Sequence, residues 1–233
     1  MNKRFEAAIA WFTCRPLRLL WVLPAVMAMD SPGCVMSEQA LTRFRDGAID
    51  TSLFGEWSEP NDESGEVTLW IGMSDSGMME VRNYDSGGVY LVLRGYTSSI
   101  GERSYANLQF ADAECDACSE DERAALKAQF REDYSAVLPD EPDNDCTWLI
   151  VKYELIEDQL TFWLPEPDVT DAAIAAGTLS GRTEAAADDD ASYAPCVTSP
   201  RRTWRRFVRD EDGELFPDAM PERLWRRSAA GAD

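Results

Sequence analysis

Between residues 67 and 110 the chain alternates short β-branched and aromatic runs with clusters of turn residues, and this rhythm restricts its fold more than any other feature. The runs are VTLWIGM (67–73), MMEVRNY (78–84), VYLVLRGY (89–96) and SYANLQF (104–110), and SDSG (74–77) and DSGG (85–88) separate the first three. Val, Ile, Tyr and Trp fit a pleated, half-buried surface, whereas Gly, Asp and Ser supply turn conformations. Strands that begin every ~8–12 residues fit an antiparallel meander closing into a barrel or sandwich.

The meander is then interrupted. SEDERAALKAQFREDY (119–134) opens with Ser119 as N-cap and Glu122 three residues later, a capping box, and a helix is expected to about Ala136. LPDEPDND (138–145) breaks it. Two aromatic-rich runs follow, 148–155 and 160–164, flanking Glu157, Asp158 and Gln159. They read as a β-hairpin whose second strand ends at Pro165 and Pro167. VTDAAIAAG (169–177) reads as a short helix with Gly177 at its C-cap. TEAAADDDASYAP (183–195) reads as an acidic, Ala-rich surface loop. The segment SPRRTWRRFVRDEDGELF (199–216) suits either a last strand or a helical turn with Trp204 and Phe207 inward. The expected class is therefore mainly β (α+β): an antiparallel β-barrel with one or two inserted short helices.

LFGEW (53–57) resembles the Gly-x-Trp opening of lipocalin-type barrels, and the resemblance carries Gly55 and Trp57 only. It implies that Trp57 packs at the closed end of the barrel. The Thr-Asp-Tyr signature of a later lipocalin turn is missing. More broadly, the layout resembles uncharacterised bacterial envelope lipoproteins over most of residues 53–182, through YANLQF, KYELIEDQLTFWLP and AIAAGTLSG. That resemblance brings no known activity.

The N-terminus reads as an address. Lys3, Arg4, Arg15 and Arg18 precede an 11-residue apolar run from Leu19 to Met29, against the ~20 residues a spanning helix needs. A basic region followed by a short apolar one describes a secretory signal. Two exits present themselves: ordinary cleavage after Ala28, or lipidation at Cys34 within SPGC (31–34), a degenerate lipobox. Cys14 leaves either way, and Cys115, Cys118, Cys146 and Cys196 form an even set. Cleavage after Ala28 leaves Cys34 as an odd thiol in an oxidising compartment, and lipidation consumes it. The expected organisation is a leader (1–34), a flexible lead-in (35–52), one barrel-like domain (53–227) and a disordered tail (228–233). The expected location is the periplasmic face of a bacterial membrane, as a lipoprotein, or the soluble periplasm.

The four remaining cysteines permit three connectivities. Our expectation is that Cys115 and Cys118 each pair with Cys146 or Cys196, tying late elements to the barrel. CDAC (115–118) also has redox-motif spacing, but Glu114, Asp116, Glu120 and Asp121 would raise a thiol pKa. A four-thiolate zinc site is the third reading, weakened by the oxidising compartment and the lack of a second CxxC.

Net charge is −21, and removal of residues 1–28 leaves about −24. Such a surface repels nucleic acid and anionic membrane, so membrane association is expected only through a lipid anchor. The chain has no His, which excludes Ser-His-Asp and Cys-His catalysis and any imidazole metal ligand. DEPDND (140–145) and DEDG (210–213) have calcium-type oxygens without the twelve-residue loop spacing. Carboxylates in GEWSEPNDESGE (55–66) can do acid–base work only if one is buried and shifted. No catalytic residue, metal or cofactor is assigned. Core packing accounts for most of the aromatic set Trp57, Trp70, Tyr90, Trp148, Tyr153, Phe162 and Trp163, and an incompletely filled barrel would leave a cup for an apolar ligand. The expected function is non-catalytic: a module binding a small apolar ligand or an envelope protein. The alternatives are a His-free carboxylate hydrolase and a purely structural protein with a filled barrel.

Overall fold

The computed structural model describes residues 35–59, 68–84, 88–135, 138–139, 145–183, 195–218 and 221–226. The leader, Cys34, the 85–87 turn, most of the acidic clusters at 59–66 and 140–145, the 184–194 loop and the tail lie outside the described residues.

Eight antiparallel strands close into a barrel: β2 (Gly55–Ser58), β3 (Leu69–Met73), β4 (Met79–Tyr84), β5 (Val89–Ile100), β6 (Arg103–Cys115), β7 (Trp148–Ile156), β8 (Gln159–Trp163) and β11 (Glu222–Arg226). Chain neighbours are sheet neighbours throughout, and β11 joins the ring by pairing with both β8 and β2. The long β5–β6 hairpin turns at Gly101 and Glu102. Its register shifts between Val92 and Leu93, so that Val92 opposes Asp112 while Leu93 opposes Phe110. That shift keeps both hydrophobic sets pointing inward, since a one-residue slip exchanges the two faces of a strand. Within β5, Gly95 admits no side chain: a Cβ there would lie 1.8 Å from the Asn107 carbonyl oxygen.

Period-2 alternation fills the interior. Trp57, Leu69, Ile71, Val81, Leu91, Leu93, Leu108, Phe110, Leu149, Val151, Leu160, Phe162 and Leu224 belong to one buried cluster, with at least one member from every barrel strand. An eight-stranded ring is just wide enough for such side chains to occupy its bore. Helix α1 (Glu120–Tyr134) adds Leu126 and Phe130 to the same cluster. Tyr134 stacks on Phe110 and Phe130, with centroids 4.9 and 5.0 Å apart. The capping box is present: Ser119 N–H and hydroxyl each donate to the Glu122 carboxylate at 2.9 Å, holding that carboxyl below the usual carboxylate range.

A second core lies outside the barrel. Tyr105, Ile150 and Trp163 project outward and are covered by α2 (Pro167–Ala175), α3 (Arg201–Asp210) and α4 (Asp212–Leu215). In α3, Trp204, Phe207 and Val208 sit at i, i+3 and i+4 and are buried, while Arg201, Arg202, Arg205, Arg206 and Arg209 take the other faces. The segment with two sequence readings is thus helical, and the closing strand is the short ERLWR run beyond it. Residues 35–52, expected to be flexible, form part of this packed structure. Val35, Met36, Ala40 and Leu41 are buried, and β1 (Met36–Ser37) pairs antiparallel with β7 and parallel with β10 (Cys196–Val197), which in turn pairs with β9 (Gly181–Arg182). Their burial follows from the outward apolar faces of β5–β7, which need cover on this side. Among the described residues no helix is long and apolar enough to cross a membrane.

Candidate functional site

Trp57 is fully buried at one end of the barrel, donating its indole N–H to the Leu53 carbonyl at 3.0 Å. The Arg226 guanidinium covers the ring at 4.8 Å and also donates to the Ser52 carbonyl. Gly55 has φ = +142°, a conformation other residues rarely adopt. Both residues singled out in the sequence therefore have structural reasons for their identity: one shapes the strand entry, the other plugs the bore.

The four cysteines do form two disulfides, but in a different connectivity from that expected. Cys115 pairs with Cys118 and Cys146 with Cys196. The register explains the correction. Met36 of β1 lies between Leu149 of β7 and Cys196 of β10, which brings Cys146, just before β7, beside Cys196. Cys115 ends β6, the strand next to β7, but lies beyond the last β6–β7 pair at Leu108 and Leu149, and it bonds instead to Cys118, at a Cα separation of 5.5 Å. Among the described residues no group of three or more Cys, Asp or Glu side chains is placed to hold a metal ion.

Of the aromatic set, Trp57, Tyr153 and Phe162 point into the barrel. Trp163 packs in the outer core, and Trp70, Tyr90 and Trp148 decorate the outside. Two polar clefts lie on the outer surface of the barrel.

The first is polar, with a volume of about 380 Å³, on the outer face of β3–β6 beside the 74–76 turn. Glu80 is buried here and accepts from Arg82 at 2.9 and 3.0 Å and from Arg94 at 3.0 Å. Arg82 in turn spans the Trp70 and Tyr90 rings at 4.6 and 5.4 Å. The Tyr90 hydroxyl lies 2.9 Å from Glu114 Oε2 and 3.1 Å from Asp116 Oδ1. Burial and then these two carboxylates hold its proton well above the ordinary phenol range. Both cations are paired, sharing the one Glu80 carboxylate, and the Tyr90 hydroxyl lies between two further carboxylates.

The second cavity is a larger groove of about 740 Å³ between the 39–48 segment, the far end of β5 and the start of α3. Arg43, Arg201, Arg202 and Arg205 line it, with Thr42, Thr97, Ser98 and one carboxylate, Asp46. Arg201 Nε donates to the Ala40 carbonyl at 2.9 Å and Arg205 to the Ser99 carbonyl at 3.0 Å, so backbone oxygens position both guanidiniums. Among the described residues, neither these two nor Arg43 and Arg202 form an ion pair with a carboxylate. Asp46 instead contacts Arg45 at 3.4 Å. Four unneutralised arginines in one groove oppose the sign of the whole chain. Sequence reading missed this site because Arg43 and Arg201–Arg205 are far apart in the chain and meet only when the lead-in packs against β5.

A third charged cluster is buried under the helices. Asp212, 2% exposed, accepts from Tyr105 at 2.6 Å and from Lys152 at 2.8 Å, and Arg103 lies 3.2 Å away. Asp212 itself is buried, the Arg103 side chain reaches solvent, and the cluster pins α4 to the barrel wall.

No family model, curated protein or solved structure matches the chain.

Proposed function

We propose that the protein is an exported, envelope-tethered module that recognises a ligand or partner on its outer surface and performs no chemistry of its own. The observation that supports this reading is the buried cluster to which every barrel strand contributes an inward side chain, together with two polar clefts on the outer surface. Two disulfides agree with an oxidising compartment, and lipidation at Cys34 would supply the tether.

Two measurements test this. Intact mass of the protein from its native host should show an N-terminus at Cys34 carrying acyl chains, and an unprocessed Met1 would end the export reading. A ligand panel read by tryptophan fluorescence and thermal shift should give responses to polar, charged ligands and none to fatty acids or apolar dyes. Saturable binding of an apolar dye with a shifted Trp57 emission would restore the cup.

The hydrolase alternative draws its support from Glu114 and Asp116 sharing the Tyr90 hydroxyl. Turnover of glycoside or ester substrates lost in Glu114→Gln would favour it over the binding reading.

A further inference from the structure

We propose that the arginine groove is a binding site for a phosphate ester. This rests on the outward-binding reading above and names its ligand class. The charge pattern is the first reason. The positive end of a helix favours acidic side chains, and cations there cost roughly 0.3–1 kcal/mol each. The first turn of α3 contains no acidic residue, and its first N–H donates only to the neutral Gln39 amide oxygen at 3.3 Å, yet it begins Arg201-Arg202, with Arg205 a turn later. Like charges at this spacing repel by a further few tenths of a kcal/mol. The chain has 43 acidic residues against 22 basic ones, so the absence of carboxylate partners here is not a shortage of carboxylates. An anion seated among the four guanidiniums and the helix N-terminus removes both penalties together.

The second reason is independent of charge. Thr42 lines the groove, is 7% exposed, and its hydroxyl oxygen has no hydrogen-bond partner. An unpaired buried hydroxyl costs about 1–3 kcal/mol, and an anionic oxygen accepting its proton would pair it. Two guanidiniums already positioned by carbonyls supply planar donor forks, and Arg43 and Arg202 are free to close on the ligand. That donor number suits a phosphate with three terminal oxygens better than a carboxylate with two. The net charge of −21 repels an anionic bilayer, which favours a soluble phosphate ester over a lipid headgroup.

The test is calorimetric titration of the disulfide-intact mature chain with glycerol 3-phosphate, inorganic phosphate and succinate at low salt, alongside sedimentation with phosphatidylcholine vesicles with and without phosphatidylglycerol. Saturable binding of glycerol 3-phosphate is expected, weakened at least tenfold in Arg202→Ala/Arg205→Ala. It should be unchanged in Arg206→Ala/Arg209→Ala, which removes two exposed arginines of the same helix outside the groove. Retention on phosphatidylglycerol vesicles that is lost in the groove variant would assign the phosphate to a lipid headgroup. Equal weakening by both double variants would reduce the effect to general charge and overturn the proposal, as would no response to any phosphate probe at millimolar concentration. Succinate binding alone, lost in the groove variant, would also overturn the phosphate assignment, while leaving the outward-binding reading intact.

Discussion

Replacing Asp212 by Asn should be among the most destabilising single changes available. The carboxylate is 2% exposed and receives Tyr105, Lys152 and Arg103 at 2.6, 2.8 and 3.2 Å. Lys152 cannot swing out to water easily. Its side chain is 16% exposed, and its ammonium lies over the Trp163 and Phe216 rings at 5.1 and 5.9 Å. At an effective dielectric of about 20, the Lys152–Asp212 attraction is roughly 6 kcal/mol. Desolvation of the two ions offsets most of it, so the intact pair contributes little net stability. Breaking it is another matter, because Asp212→Asn leaves a buried ammonium without its counter-charge, at a cost of about 3–5 kcal/mol. For a chain of 233 residues that lowers Tm by roughly 6–20 °C. Urea unfolding of wild type, Asp212→Asn, Lys152→Met and Lys152→Met/Asp212→Asn forms the assay. The double variant should be more stable than the sum of the singles by at least about 2 kcal/mol, because neither charge is left alone. A loss below about 1 kcal/mol in Asp212→Asn, or an additive cycle, would refute the reasoning.

The two disulfides should contribute unequally. Loop-closure entropy assigns about 4 kcal/mol to Cys146–Cys196, which spans 50 residues, and under about 2 kcal/mol to Cys115–Cys118, which spans 3; urea midpoints of the two paired Cys→Ser variants check the order. Trp57→Ala should cost about 3–5 kcal/mol through the void left in the bore, whereas Trp225→Ala, at 45% exposure, should stay within about 0.5 kcal/mol by the same measurement. The phenols of Tyr90, Tyr105 and Tyr153 are all raised, by burial first and then by Glu114, Asp212 and Asp50 respectively. Because the folded state holds these protons more tightly than the unfolded chain, their contribution is complete below pH about 10 and is lost as pH climbs past it. Absorbance at 295 nm should accordingly show at least three of the seven tyrosines ionising only together with alkaline unfolding, and full ionisation of the native protein near pH 10 would contradict this.

The barrel was legible in the sequence where alternation was strong. The four early strands and the 148–163 hairpin are where the β-branched and aromatic runs placed them, and the Ser119–Glu122 box marked α1. The closing strand was not legible, because ERLWR carries three charges in five residues and its inward side is essentially Leu224. The ambiguous RRTWRRFVRD segment became a helix because Trp204, Phe207 and Val208 share one face only at a 3.6-residue period. The candidate groove stayed hidden for a topological reason: local patterns report which face of an element is apolar, not which distant elements share an edge. The same limit hid the disulfide connectivity, which is fixed by β1 inserting between β7 and β10.

The ring closes only when Glu222–Arg226 dock between β2 and β8. A ribosome that has released everything up to Phe216 has made seven of the eight staves, and the first and seventh still present bare peptide groups to any neighbouring chain. The same arrangement makes a premature stop ahead of Glu222 unusually harmful. Loss of Glu222–Arg226 leaves a split cylinder prone to self-association.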